Sequence, residues 1–127
     1  LNKHARCNGK LGAVGFCFGG YIVNLLAAAI PETLDAGVPF YGTPAAKELR
    51  KNIKGPLMIQ LAELDPRVNA SWEEYEEDLK AAGAKYVMHM YPQANHGFHN
   101  DSTGRYDKEK AEVAWQRTID FFQKHLA

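Results

Sequence analysis

The most informative stretch of the sequence is Lys10-Leu11-Gly12-Ala13-Val14-Gly15-Phe16-Cys17-Phe18-Gly19-Gly20. Residues 10–16 predict a short buried strand, and the apolar run 18–30 predicts a helix buried on more than one side. Gly15 and Gly19 flank Cys17 in the pattern Gly-x-nucleophile-x-Gly, typical of a sharp strand-to-helix turn whose flanking positions must be small. This turn places Cys17 at a helix N-terminus, which favours a thiolate, and directs the Phe18 N–H at a forming oxyanion. The alternative is a glycine-rich turn with an incidental buried cysteine.

Strands and helices alternate along the rest of the chain. Further strands are predicted at residues 36–41, 57–62 and 85–91. Helices are predicted at 45–53 and, after Asp107, at 108–125. Between them, a helix is predicted to begin after a Ser71/Glu74 capping box and to end at a Gly83 cap. Alternation of this kind implies parallel pairing with right-handed crossovers. The sequence therefore predicts an α/β fold of about four parallel strands with flanking helices, in one domain spanning residues 1–127.

Composition excludes several classes of function. The chain has 127 residues, of which 46% are hydrophobic, and its 15 Lys and Arg residues balance its 15 Asp and Glu residues. Zero net charge argues against a nucleic acid partner. No apolar run approaches the roughly 20 residues of a membrane span, so no membrane partner is expected. Two cysteines, Cys7 and Cys17, do not make a disulfide framework, although a bridge between them is conceivable.

Candidate catalytic residues follow the predicted strands, whose carboxyl ends gather at one edge of a parallel sheet. Cys17 follows the first strand, Asp65 the third and His96 the fourth, in the chain order nucleophile, acid, base. A neutral His96 can take the thiol proton and return it to the leaving group, while Asp65 holds its tautomer. Glu63 competes with Asp65 for this role, and Pro66 favours Asp65 by marking a turn. The alternative for His96 is a loop histidine with a structural hydrogen bond.

The sequence resembles the dienelactone hydrolase family over nearly its whole length. The matching segments are Gly15-Phe16-Cys17-Phe18-Gly19-Gly20, Phe40-Tyr41-Gly42, Leu64-Asp65-Pro66-Arg67-Val68, Tyr91-Pro92, His96-Gly97-Phe98, Asn100-Asp101-Ser102-Thr103, Arg105-Tyr106-Asp107 and Ala114-Trp115-Gln116-Arg117-Thr118. The resemblance implies Cys17 as nucleophile, Asp65 as acid and His96 as base. It also implies hydrolysis of a small ester or lactone without a metal or organic cofactor.

The resemblance covers the carboxyl-terminal half of that fold, because family members are about twice as long and begin with several strands ahead of the Cys17 turn. The absent half contributes the second oxyanion donor. The fold class expected is thus a partial α/β-hydrolase fold in which the first strand is an open edge. We therefore expect a homo-oligomer or pairing with the missing N-terminal half. The alternative function is a non-catalytic half-domain that assembles with itself or a partner chain.

Other conspicuous side chains have simpler interpretations. Tyr41, Phe18 and Phe98 are candidate substrate contacts, and core packing is the alternative for Tyr41 and Phe18. Trp72 and Trp115 lie on apolar helical stripes and are predicted to be core residues. The loop spacing of His96, His99 and Asp101 is not that of a zinc cluster.

Overall fold

The computed structural model describes residue 1 and residues 3–127, and contains a four-stranded parallel sheet in the order β1-β2-β3-β4. The strands are β1 (Gly12–Phe16), β2 (Ala36–Phe40), β3 (Leu57–Leu64) and β4 (Tyr86–Asn95). The helices are α1 (Phe18–Ala29), α2 (Pro66–Asn69), α3 (Trp72–Ala81) and α4 (Lys108–Leu126), with a 3₁₀ helix at Lys47–Asn52. The predicted α/β architecture of about four parallel strands with flanking helices is confirmed.

Both faces of the sheet are covered by helices, which explains why β2 is buried along its whole length. On one face, α1 and α3 pack on side chains such as Ile59 and Leu61. On the other face, α4 packs on β2 and β3 and closes a second cluster around Phe40 and Phe98. The two clusters hold the carboxyl ends of the strands, and the loops that follow them, in fixed positions.

Strand β1 forms one edge of the sheet. It pairs in parallel with β2, from Gly12 opposite Ala36 to Phe16 opposite Phe40. Among the described residues nothing pairs with its other side. The apolar side chains of Val14 and Phe16 on β1 are 38% and 36% exposed. Strands of a parallel sheet are usually buried on both faces, so this exposure is unusual. The predicted open edge is therefore present in this structure.

Strand β4 is longer than predicted. The sequence predicts a strand at 85–91 followed by a polar loop, but the strand continues to Asn95. The register shifts along the way, since Ala62 lies opposite Tyr91 while Leu64 lies opposite Asn95. The extra residues of β4 form a bulge with Gln93 at φ 59°. This bulge accommodates Pro92 and brings His96 directly to the end of a strand.

Two predictions about the helices are wrong and two are confirmed. Ser71 precedes α3, but its side chain does not cap that helix. The short helix α2 ends just before Ser71, and the Ser71 hydroxyl donates to the Val68 carbonyl of α2 at 2.9 Å instead. The predicted capping box with Glu74 is thus absent. Asp107 does cap α4, accepting from the Lys110 N–H at 3.2 Å. Trp72 is buried as expected, whereas Trp115 is 41% exposed on α4 and is not a core residue.

Within the part of the chain that the structure describes, no helix is both long enough and apolar enough to cross a membrane.

Candidate active site

Cys17 occupies a strained turn between β1 and α1. Its backbone angles are φ 56° and ψ −118°, a conformation that an L-residue adopts only when its surroundings enforce it. The Cys17 N–H donates to the Phe40 carbonyl at 3.1 Å, which ties the turn to β2. A Cβ atom at Gly15 would collide with the backbone of Gly19, so glycine is required there. A Cβ at Gly19 would have no atom within 4 Å. The expectation that both positions flanking Cys17 must be small therefore holds for Gly15 and not for Gly19.

The Cys17 turn presents an unpaired helix end. Cys17 is the N-cap of α1, and Phe18 is its first helical residue. The N–H groups of the first helical turn have no carbonyl partner within the helix. The Phe18 N–H therefore lies beside Cys17 without a partner inside the helix, and its role as an oxyanion donor stays a prediction.

Asp65 and His96 lie together at the carboxyl ends of β3 and β4. The Asp65 Oδ2 and the His96 Nδ1 are 2.5 Å apart, a short charge-assisted contact. Asp65 is 5% exposed, and its other oxygen accepts from the Val68 N–H at 3.5 Å as the N-cap of α2. The carboxylate is thus held by helix α2 on one side and by the imidazole on the other. The bulge in β4 carries His96 to it.

Glu63, the competing candidate for the acid, faces a different group. Its side chain is exposed, and its Oε1 accepts from the Gln93 N–H at 3.2 Å. Glu63 therefore stabilises the β4 bulge, whereas Asp65 alone of the two contacts His96.

A cavity of about 260 Å³ opens in front of Cys17. Its walls are formed by Cys17, Phe18, Tyr21, Tyr41, Thr43 and Arg67. The Tyr41 ring also lies 4.9 Å from the His96 ring, centroid to centroid, so this tyrosine connects the thiol cavity with the Asp65–His96 pair. Among the described residues no hydrogen bond links the Cys17 thiol to His96. Such bonds are often long without substrate and tighten when it binds.

The electrostatic environment of Cys17 differs from the sequence-based expectation. A helix N-terminus favours a thiolate, but burial raises the pKa of the Cys17 thiol, and the Asp65 carboxylate raises it further. The positive charges of Arg105 and Arg67 oppose this rise in pKa. The net shift is upward, so the thiol is protonated at neutral pH and needs a base to become a nucleophile.

No role at the site was predicted for these two arginines. The signal for Arg67 is its place two residues after Asp65, in the turn that follows β3. Arg105 comes from the loop before α4, and its guanidinium packs 3.6 Å from where a Cβ of Gly97 would lie. Nothing local in the sequence indicates that approach to Cys17.

The three aromatic candidates take different positions. Phe18 is 73% exposed at the cavity mouth. Tyr41 is 1% exposed with φ 37°, and burial raises the pKa of its hydroxyl well above the usual range, so it stays protonated. Phe98 is fully buried, packs edge-on against Tyr41 at 5.4 Å and does not line the cavity in front of Cys17, so the structure places this predicted substrate contact in the core. Within residues 1 and 3–127, no three His, Cys, Asp or Glu side chains form a group suited to a metal ion.

Parallel strands with Cys17 at a strained strand–helix turn and an Asp65–His96 pair at the neighbouring strand ends define a partial α/β-hydrolase fold. Residues 1–126 match the model of the dienelactone hydrolase family, and the chain belongs to that family.

Individual relatives agree with this assignment. The chain is 32% identical to a carboxymethylenebutenolidase of Pseudomonas putida over 116 residues, covering 90% of this chain and 48% of that protein. It is 35% identical to protein usf of Aquifex pyrophilus over 122 residues, with 92% and 52% coverage. The crystal structure of a dienelactone hydrolase from Anabaena variabilis superposes with a TM-score of 0.73 and 28% identity, over 93% of this chain and 50% of that one. The chain spans about half the length of the curated relatives it matches.

Proposed function

We propose that this chain carries the catalytic residues of a hydrolase acting on carboxylic ester or lactone bonds, with Cys17 as nucleophile, His96 as base and Asp65 as acid. The observation that carries the proposal is the 2.5 Å contact between Asp65 and His96 beside the strained Cys17 turn. The name of the Pseudomonas putida relative, a carboxymethylenebutenolidase, supports the substrate class.

The proposed first half-reaction forms a thioester. With Nδ1 of His96 donating to Asp65, Nε2 is free to accept the Cys17 thiol proton. The sulfur then attacks the carbonyl carbon, and the Phe18 N–H stabilises the resulting oxyanion. Collapse of this intermediate breaks the C–O bond, and the alcohol leaves with the proton held by His96.

The second half-reaction releases the acyl group. His96 takes a proton from water, the hydroxide attacks the thioester carbonyl, and the thiol departs with that proton. The products are a carboxylic acid and an alcohol, or one hydroxy acid from a lactone. Phe18 supplies one oxyanion donor, and the second is expected from the upstream segment that longer family members possess. We therefore expect slow turnover by these residues alone.

Hydrolysis of short p-nitrophenyl esters tests the proposal. The wild-type chain and Cys17→Ala are compared, with Cys7→Ala as the matched control because Cys7 is also a free, partly buried cysteine. We expect Cys17→Ala to lose the protein-dependent rate and Cys7→Ala to retain it. Equal rates for wild type and Cys17→Ala would contradict the catalytic proposal and favour the second candidate.

The second candidate function is a half-domain that assembles through strand β1. The exposed edge of β1, with Val14 and Phe16 beside it and Phe18 just beyond, favours this candidate. A second copy of this chain, or an N-terminal segment like that of the longer relatives, would pair with β1 and cover these side chains. Assembly and catalysis are compatible, because a pairing segment beside β1 lies next to the Cys17 turn.

A further inference from the structure

A second cavity, of about 550 Å³, lies at the opposite end of the sheet from Cys17. It is formed by the first residues of β3 and β4 together with the last turns of α4. Its volume is within the ~300–1,000 Å³ range of small-molecule sites. Because β1 and β4 are the two opposite edges of the sheet, no residue of β1 lines this groove. We call it the β4–α4 groove.

The floor of the β4–α4 groove is apolar. Met58 and Phe121 are 7% and 8% exposed, and Val87 beside them is 38% exposed. The exposure of Val87 has a structural cause, since α4 packs on β2 and β3 and leaves the start of β4 uncovered on that face. An apolar strip with water above it can bury the hydrocarbon part of a ligand.

The rim of the groove is mainly basic. Lys85, Arg117 and Lys124 line it, with Asp120 as the one carboxylate among its lining residues. Asp120 accepts a hydrogen bond from the Gln116 amide at 2.9 Å. None of the three basic side chains forms an ion pair with another described residue. Arg117 donates to the Tyr91 hydroxyl at 3.1 Å, which fixes its guanidinium at the groove.

His125 lies beside the basic rim of the groove. Its ring packs 4.5 Å from the Phe121 ring, and burial followed by the charges of Lys124 and Lys85 lowers the pKa of His125. The histidine is therefore neutral near pH 7 and extends the apolar floor, while the two lysines remain available to an anion.

We infer that the β4–α4 groove binds an amphipathic organic carboxylate, with its hydrocarbon body on Met58, Val87 and Phe121 and its carboxylate between Lys85 and Lys124. A neutral apolar ligand would make no ion pair with the basic rim, and a small inorganic anion would leave the apolar floor exposed to water. A ligand with a hydrocarbon body and a carboxylate interacts with both the floor and the rim. This site is separate from the proposed catalytic cavity and does not depend on catalysis.

Octanoate is the probe, with octan-1-ol as its uncharged counterpart, titrated at low salt by calorimetry and by two-dimensional NMR of the labelled chain. We expect octanoate to shift the amide signals of Val87 and Phe121 and to bind more tightly than octan-1-ol. Across carboxylates of increasing chain length, we expect affinity to rise by about fourfold per added methylene. The variant Lys85→Ala/Lys124→Ala should weaken octanoate binding by about tenfold. The matched control Lys80→Ala/Lys108→Ala removes two exposed lysines elsewhere and should have no effect.

Three results would overturn the inference. They are equal affinity for octan-1-ol and octanoate, an equal loss in the control variant, and shifts confined to the residues around Cys17. Circular dichroism of each variant establishes that the fold is retained. Because Cys17→Ala leaves this groove intact, octanoate binding by that variant separates the groove from the proposed catalytic site.

Discussion

At the scale of single residues, the proposed chemistry depends on how Cys17 is protonated. Burial and the Asp65 carboxylate raise the pKa of the Cys17 thiol, whereas the charges of Arg105 and Arg67 lower it. The two effects that raise the pKa outweigh the two that lower it, so the net shift is upward. In the proposed mechanism, His96, which contacts Asp65, removes the proton. The proposal therefore combines a partly buried, protonated thiol with a separately oriented base, rather than a permanently ionised thiolate.

Alkylation of Cys17 by iodoacetamide should report this balance. We expect the rate to rise with pH with a midpoint above the ordinary thiol value of about 8.5, because the folded environment disfavours the thiolate. Arg105→Ala removes a favourable positive charge and should move the midpoint further up. The rate is followed by mass spectrometry of the Cys17 peptide, with the Cys7 peptide as internal reference. A Cys17 midpoint below that of Cys7 would contradict the assignment.

At the scale of elements, the Cys17 turn is held by the close approach of α1 to the end of β2. A Cβ at Gly20 would lie 2.6 Å from the Phe40 carbonyl oxygen, and a Cβ at Gly42 would collide with the backbone of Gly20 and Tyr21. Helix α1, which follows Cys17, can approach β2 only because both residues are glycines.

Gly42→Ala and Gly19→Ala form a matched pair that tests this contact. Gly42→Ala should destabilise the chain by about 1–3 kcal/mol, since the added methyl forces two backbones apart. Gly19→Ala adds the same methyl to open space inside α1 and should stabilise by up to about 1 kcal/mol. Urea unfolding followed by circular dichroism measures both. Equal effects of the two variants would show that the close approach does not matter.

The elements also show which features the sequence could predict. The strand–turn–helix around Cys17 follows from its glycines and apolar runs, and Asp107 as the cap of α4 follows from its position before an amphipathic helix. The extension of β4 could not be predicted, because it passes through Pro92 and depends on the Glu63 contact to Gln93 across strands. The Ser71 capping box fails because α2 runs directly into α3. Each failure involves a tertiary contact or a neighbouring element rather than a local preference.

At the scale of the whole molecule, the chain is asymmetric. The β4 side carries the groove with the basic rim, while the β1 side exposes unpaired backbone and apolar side chains next to the Cys17 turn. A sheet edge of this kind pairs readily with another strand. The proposed catalytic residues lie at the boundary of that surface, so assembly and activity are expected to be coupled.

A charge at the β1 edge should prevent self-association. Light scattering after gel filtration of the wild-type chain should give more than the monomer mass at micromolar concentration, and Val14→Lys should return the monomer mass. Val113→Lys is the control, because Val113 is similarly exposed, at 42% against 38%, but lies on α4. A wild-type monomer at all concentrations, without binding of a dye specific for apolar surface, would contradict the proposed pairing.

The most direct test of the proposed Cys17, His96 and Asp65 triad is the intact mass of the chain after brief exposure to p-nitrophenyl butyrate, with peptide mapping of the adduct. We expect one butyryl group on Cys17, unchanged in Cys7→Ala and absent in Cys17→Ala. In His96→Asn it should form about 100-fold or more slowly, because the thiol then lacks its base. Acylation of Cys7 at the same rate as Cys17, or an adduct on Cys17 that forms equally fast without His96, would contradict the assignment of Cys17, His96 and Asp65 as a catalytic unit.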